Sequence, residues 1–245
     1  MVGIVQTLVI KNVRLVTNTK SILNLMRKTL QDNKLTRLTA LKNLQQQEQG
    51  DPFKILIGTI LSSRTRDENT TRVLKYLFDK FRDIDGISKA DLKDIRDSIH
   101  SIGFYNVKAK RIKQVVQLLI EKFDSKVPSN LDELLTLPGV GRKTANCVLV
   151  YAFNQPAIPV DVHVHRISNR LGLVNTRTVE ETELQLCSII DKELWIEIND
   201  TFVTYGQNVC LPIKPKCNVC QLKKMCKYYK SNVKAKPPSS SSLKE

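Results

Sequence analysis

The chain has 245 residues, of which 41% are hydrophobic and 26% charged, a balance typical of a folded protein with one or two domains. No apolar run reaches the roughly 18 residues of a transmembrane helix. The opening MVGIVQTLVI lacks the basic region and cleavage site of a signal peptide, so we expect an intracellular protein, located in the cytoplasm or nucleoid if the source is a prokaryote. The net charge of +15 favours a polyanionic partner such as nucleic acid, although general basicity would produce the same excess.

Apolar residues at helical spacing predict an all-α chain. In residues 1–23, LVIKNVRLV fits either a short strand or an extension packed on helices, and KAKPPSSSSLKE at the end has the composition of a disordered tail. Between these ends the segments that predict helices are residues 21–30, DPFKILIGTILSS, NTTRVLKYLFDKF, KADLKDIRDSIHSIG, NVKAKRIKQVVQLLIEKF, SNLDELLTL, RKTANCVLVYAF, DVHVHRISNRLGL, TVEETELQLCSIID and NDTFVTYGQNVC.

The segment LTLPGVGRKTA predicts two helices joined by a tight turn. Gly139 and Gly141 remove side chains that would block an approaching ligand. The second helix begins at once, so its unpaired N–H groups can hold a phosphate, and Arg142 and Lys143 add positive charge there. The alternative is an ordinary helical hairpin in which glycine only saves space.

Four cysteines form the pattern C-x6-C-x2-C-x5-C: Cys210, Cys217, Cys220 and Cys226. Disulfides are disfavoured without an export signal, whereas four thiolates suit either zinc or a [4Fe–4S] cluster, and spacing alone does not separate these two. Cys147 and Cys187 stand apart on apolar helix faces, which predicts buried core residues.

Three motifs in combination resemble those of the endonuclease III family of helix-hairpin-helix DNA glycosylases. They are LPGVGRKTAN, VDVHVHR and the four-cysteine run. DPFKILIGTILSSRTRDENT and IGFYNVKAKRI also look like the corresponding family segments, so the resemblance spans about residues 24–230. It implies a bifunctional DNA glycosylase and abasic-site lyase of base excision repair that removes oxidised pyrimidines. The implied cofactor is one [4Fe–4S] cluster on the four cysteines. The implied partner is double-stranded DNA containing damaged bases or abasic sites, bound by a monomer with no membrane association.

The resemblance implies that Lys143 is the Schiff-base nucleophile and Asp161 the catalytic carboxylate. Chemistry alone would make Lys143 a phosphate contact or an exposed lysine, and would make Asp161 equally a helix N-cap. His163 and His165 stand beside the same helix start, where histidines more often satisfy local hydrogen bonds than carry catalysis.

Several further residues are candidates for DNA contact. Arg64 and Phe104 match the family's intercalating loops by position, although Arg64 replaces a glutamine and Phe104 could equally be a core aromatic. The basic pair in LPIKPK lies between the first two cysteines and could meet the phosphate backbone, or could remain solvated. The full set of candidates is Leu137, Gly139, Val140, Gly141, Arg142, Arg64, Phe104, Lys214 and Lys216.

The resemblance also implies two helical domains with a DNA-binding cleft between them. Residues 45–155 would form a six-helix domain carrying the hairpin. Residues 24–44 and 156–230 would form the iron–sulfur domain, leaving residues 1–23 as an extension without assigned role and 231–245 as a tail. The rival functions are a monofunctional mismatch glycosylase of the same fold, acting on adenine, thymine or uracil, and a non-catalytic DNA-binding module.

Overall fold

The structure is a computed structural model that describes residues 19–35 and 38–233. Every regular element within those residues is helical and no strand occurs among them, which confirms the predicted all-α class. The candidate strand LVIKNVRLV and residues 234–245 of the predicted tail lie outside the described residues. None of the described helices is both long enough and apolar enough to span a bilayer.

The helices are short to medium in length and follow one another closely. In chain order they are α1 (residues 19–32), α2 (Ala40–Gln47), α3 (Pro52–Ser62), α4 (Asp67–Phe81), α5 (Ile84–Lys89), α6 (Leu92–Ser98), α7 (Tyr105–Lys122), α8 (Leu131–Leu135), α9 (Arg142–Phe153), α10 (Val162–Leu171), α11 (Val179–Ile189) and α12 (Trp195–Asn208), with a 3₁₀ turn at Lys192–Leu194 and a π-helical turn at Tyr229–Val233.

One compact unit comprises Leu38–Pro159 and is built around α3. Pro52 sets the first turn of α3 and Asp51 caps it, and the buried face that follows packs against α2, α4, α7 and α9. The unit therefore includes α2 and begins before residue 45, because Leu44 lies against Gly58 of α3. Its six longer helices are accompanied by two short ones, α5 and α8.

The second unit takes its described residues from both sides of the first, within Met1–Arg37 and Val160–Glu245. Helix α1 buries Ile22, Leu23 and Met26, and α10 packs against α12. Hydrogen bonds join α1 to the later segment, since Arg27 pairs with Glu197 and the Gln221 amide donates to the Thr29 hydroxyl at 3.3 Å.

The two isolated cysteines differ in burial. Cys147 is fully buried in α9, as the apolar helix face predicts. Cys187 in α11 is only half-buried, so its assignment to the core is wrong. Helix α11 exposes Leu184 close by, which shows that its apolar residues are not all gathered on one buried face.

Candidate functional site

The turn between α8 and α9 presents almost bare backbone to solvent. Gly139 has a positive φ of +77°, and Gly141 is the exposed N-cap of α9, with no atom within 4 Å of where a Cβ would stand. The side chains of Leu137 and Val140 are buried and fix the turn from beneath. DNA contact by these two predicted residues is therefore open only to their main chain.

Arg111 on α7 supports the same turn from the side. A Cβ at Gly139 would lie 2.6 Å from Arg111 Cδ and 2.9 Å from its Nε, so the arginine stem occupies the space that a side chain would need. Arg111 is exposed and brings another guanidinium beside the turn. No local sequence pattern marks Arg111, since only tertiary packing brings α7 to the turn.

Lys143 lies in the first turn of α9 and is half-buried, whereas Arg142 before it is exposed. The α9 N-terminus carries the positive end of the helix dipole. A primary amine therefore stands directly beside a turn whose backbone is open to a phosphate.

Asp161 caps α10, as predicted. Its Oδ1 accepts hydrogen bonds from the His163 amide at 2.8 Å and the Val164 amide at 2.9 Å. The carboxylate is half-buried and fixed in direction by these bonds. This geometry holds one oxygen in the cap and suits a carboxylate that must act in a fixed orientation.

The two histidines of α10 make local contacts, as expected. His165 Nδ1 lies 2.6 Å from the Thr182 hydroxyl, and His163 Nδ1 lies 3.1 Å from Nη2 of Arg166. Neither geometry gives a histidine an acid–base role.

The four clustered cysteines line one cavity, together with residues of α10 and α12. Within the described residues, no three His, Cys, Asp or Glu side chains are arranged to hold a single metal ion. The Tyr205 hydroxyl donates a hydrogen bond to Cys220 Sγ at 3.0 Å, which adds a polar contact to one of the four thiols.

Burial raises the pKa of the Cys217 and Cys226 thiols above the usual thiol value, and neighbouring cysteine thiolates raise it further. Four thiolates gathered in a half-buried space repel one another unless a cation offsets them. The donor set therefore fits a cationic metal group.

Two arginines of α10 pin the loop between the first two cysteines. Arg166 donates to the Cys210 carbonyl at 3.0 Å, and Arg170 donates to the Leu211 carbonyl at 2.6 Å and the Pro212 carbonyl at 2.8 Å. Beyond this anchored start the loop exposes the two predicted lysines, Lys214 and Lys216. No local sequence pattern marks these arginines, which only the packing of α10 brings to the loop.

Arg64 and Phe104, predicted from separate segments, lie together. The Arg64 guanidinium carbon is 5.6 Å from the centre of the Phe104 ring, a cation–π contact. Phe104 is 60% exposed, so the alternative assignment as a core aromatic is wrong. The pair forms a protruding aromatic–cationic contact on the Leu38–Pro159 unit.

Comparisons with known proteins agree with this architecture. Residues 57–192 match the HhH-GPD superfamily of base excision DNA repair proteins. Endonuclease III of Thermotoga maritima is 50% identical over 180 residues, covering 74% of this chain and 84% of the relative.

Solved structures match over most of the chain. A trapped covalent intermediate of endonuclease III with DNA, in an estranged-adenine complex, has a TM-score of 0.75 at 35% identity, covering 88% of this chain and 97% of that one. A thermostable thymine-DNA glycosylase has a TM-score of 0.74 at 26% identity, covering 88% and 99%.

The chain therefore belongs to the HhH-GPD superfamily of base excision DNA repair proteins. Its fold and hairpin define it as a helix-hairpin-helix protein. Within that class the predicted resemblance to endonuclease III is confirmed, and the chain is a DNA glycosylase and abasic-site lyase.

The structure of the turn predicts different effects for substitutions at its two glycines. Gly139→Ala should lower the free energy of unfolding by about 1–2 kcal/mol, because alanine resists a positive φ and its Cβ would collide with Arg111. Gly141→Ala should change it by no more than about 0.5 kcal/mol, because its Cβ points into open space. Urea unfolding of both variants measures the difference, and equal losses would contradict this description of the turn.

Proposed function

We propose that the chain removes oxidised pyrimidine bases from duplex DNA and then cuts the strand at the resulting abasic site, with Lys143 as nucleophile. The observation that carries this proposal is the position of Lys143, in the first turn of α9 beside an exposed glycine turn. The solved endonuclease III neighbour trapped covalently on DNA supports the same chemistry.

The target base must first leave the DNA duplex, because its glycosidic bond cannot be reached inside the base stack. Gly139 and Gly141 let the strand come close to the backbone of the turn, and the amides at the α9 N-terminus bind its phosphate. Arg142 adds a charge contact beside them. These phosphate contacts hold the extruded nucleotide near the Lys143 amine.

The reaction then needs few groups. The neutral Lys143 amine attacks C1′, and the base departs with the electrons of the glycosidic bond. The sugar ring opens to a Schiff base between C1′ and the lysine nitrogen, which acidifies the 2′ proton. Loss of that proton drives β-elimination, in which the C3′–O bond breaks and the 3′ phosphate leaves. Hydrolysis of the Schiff base releases the lysine.

Asp161 supplies the negative charge that these reaction steps require. Its cap bonds to the α10 amides hold the carboxylate in one direction. A carboxylate so held can stabilise positive charge on the sugar and assist deprotonation of the attacking amine.

The remaining DNA contacts come from two other surfaces. Lys214 and Lys216 lie exposed on a loop whose start is fixed by Arg170, so they can meet phosphates with little ordering cost. Arg64 and Phe104 together fill the gap that the extruded nucleotide leaves, and the exposure and mutual contact of this pair support that role.

We also propose that Cys210, Cys217, Cys220 and Cys226 hold a [4Fe–4S] cluster. All four line one cavity, as the ligands of a shared metal group must. A zinc site needs its thiolates about 2.3 Å from one point, whereas the irons of a cluster spread the thiolates apart. The likeness to endonuclease III favours the cluster over zinc. The contribution of the cluster is to cross-link the loop that carries Lys214 and Lys216.

Borohydride trapping tests the nucleophile. The wild-type chain should form a covalent adduct with duplexes that carry one oxidised pyrimidine, such as thymine glycol, and with abasic duplexes. Lys143→Ala should abolish the adduct and the strand cut, because the amine that forms the Schiff base is gone. Gel electrophoresis of labelled duplex measures both.

The matched control is Lys122→Ala, which removes an exposed lysine from the end of α7 and should leave trapping unchanged. Duplexes with mismatched adenine, thymine or uracil complete the panel. Excision confined to those mismatches, without a trapped adduct, would support the monofunctional alternative instead.

Asp161→Asn separates catalysis from capping. Asparagine caps helices as well as aspartate does, so the bonds to His163 and Val164 and the helix content should persist. The excision rate should fall by about a hundredfold or more, because the charge is lost, while the Kd for abasic duplex should stay within about threefold. Single-turnover kinetics and circular dichroism measure these effects, and a large loss of helix would mean that the residue only caps α10.

The cluster makes a spectroscopic prediction. Anaerobically purified protein should be brown and should contain about four iron and four sulfide per chain, without zinc. Cys217→Ala should lose most of that iron, whereas Cys187→Ala, outside the cavity, should retain it. One zinc per chain in a colourless preparation would contradict the assignment.

A further inference from the structure

Lys108 of α7 is a buried lysine that the chemistry above does not use. The residue is only 3% exposed. Its ammonium donates to the Leu61 carbonyl at 2.9 Å, the Ser63 carbonyl at 2.7 Å and the Thr65 hydroxyl at 2.9 Å. An ammonium has three donors, so these bonds use its full capacity.

All three acceptors belong to residues 61–65, which end α3 and lead into α4. This segment carries Arg64, whose φ of +54° is a left-handed conformation that costs energy in any residue other than glycine. Such a conformation persists where surrounding contacts fix it. The Lys108 ammonium supplies those contacts on both sides of Arg64.

Lys108 is tied to Phe104 as well. Its backbone N–H donates to the Phe104 carbonyl at 3.0 Å in the first turn of α7. Phe104 also has a positive φ, of +60°, and projects into solvent toward the Arg64 guanidinium. One residue therefore contacts both segments of the protruding pair.

Lys108 carries a buried positive charge, and burying that charge only to fill space in the fold costs free energy. Burial, together with the nearby Arg111 guanidinium, lowers the pKa of Lys108 to about 8. All three acceptors are neutral oxygens, so no carboxylate among them offsets the buried charge. An apolar side chain would fill the space at lower cost but would leave two carbonyls unpaired and residues 61–65 without an anchor.

We propose that Lys108 is a positioning residue that holds residues 61–65 in the shape that presents Arg64 and Phe104 as one unit to the base opposite the extruded nucleotide. This inference rests on the proposed role of that pair in filling the gap. Lys108 touches neither base nor sugar, and it acts through the conformation of Arg64.

The test compares two lysines of the same helix. Lys108→Met removes the three donors while keeping the length of the side chain. Lys113→Met is the matched control, because Lys113 also donates to three oxygens, the carbonyls of Ile87, Ser88 and Ala90 at the end of α5. Thr65→Val removes one acceptor from the Lys108 site and provides a milder variant that preserves the fold.

The readout is a duplex with fluorescent 2-aminopurine opposite a stable abasic analogue, which reports on stacking at the opposite base without catalysis. Lys108→Met should lose at least about half of the fluorescence change of the wild type, and its single-turnover excision rate should fall about tenfold. Thr65→Val should show a smaller loss in the same direction. Lys113→Met should match the wild type in both assays, even if its melting temperature falls as far as that of Lys108→Met.

Each outcome decides the proposal. Equal losses in Lys108→Met and Lys113→Met would show that only stability matters, and an unchanged signal in a folded Lys108→Met or Thr65→Val protein would show that Lys108 does not position the pair. If the wild type bound the analogue duplex but excised no base, the proposed function would fail. The fluorescence comparison would still decide the role of Lys108.

Discussion

The turn between α8 and α9 must be both bare and rigid, and the rest of the site depends on that combination. A surface that admits a phosphate to its backbone cannot use exposed side chains to hold its own shape. The fold solves this from behind, with Leu137 and Val140 buried beneath the turn and the Arg111 stem filling the space beside Gly139. Rigidity therefore comes from the packing of α7 and α9 within their own unit, and Lys143 lies half-buried in the first turn of α9.

The same principle recurs at the two other loops assigned to DNA contact. Arg166 and Arg170 hold the carbonyls at the start of the cysteine loop, and Lys108 holds those of residues 61–65. In each case a cation on a helix binds main-chain oxygens of a neighbouring loop. Basic residues thus serve two purposes in this chain. Some are exposed to meet a polyanion, and others are turned inward to shape the loops that expose them.

Much of the site could be predicted from the sequence because its signals are local. The glycines of the turn, the start of α9 at Arg142, the Asp161 cap and the four-cysteine spacing all lie within short windows. Arg111 and Lys108 could not be found this way, because each acts on a segment distant in the chain. Phe104 shows the same limit, since an aromatic residue beside a glycine is compatible with burial or exposure until α7 is placed. The short helices α2 and α5 were also missed.

The discontinuous second unit has a consequence for how the molecule is made. Helix α1 leaves the ribosome before the Leu38–Pro159 unit, with Ile22, Leu23 and Met26 exposed, yet its partners around Glu197 and Gln221 are translated only after that unit. The Leu38–Pro159 unit is continuous and can fold while synthesis proceeds. Completion of the cysteine-bearing unit must therefore wait until the segments on both sides of Leu38–Pro159 meet, and until then the nascent polypeptide carries an apolar helix that a chaperone could recognise.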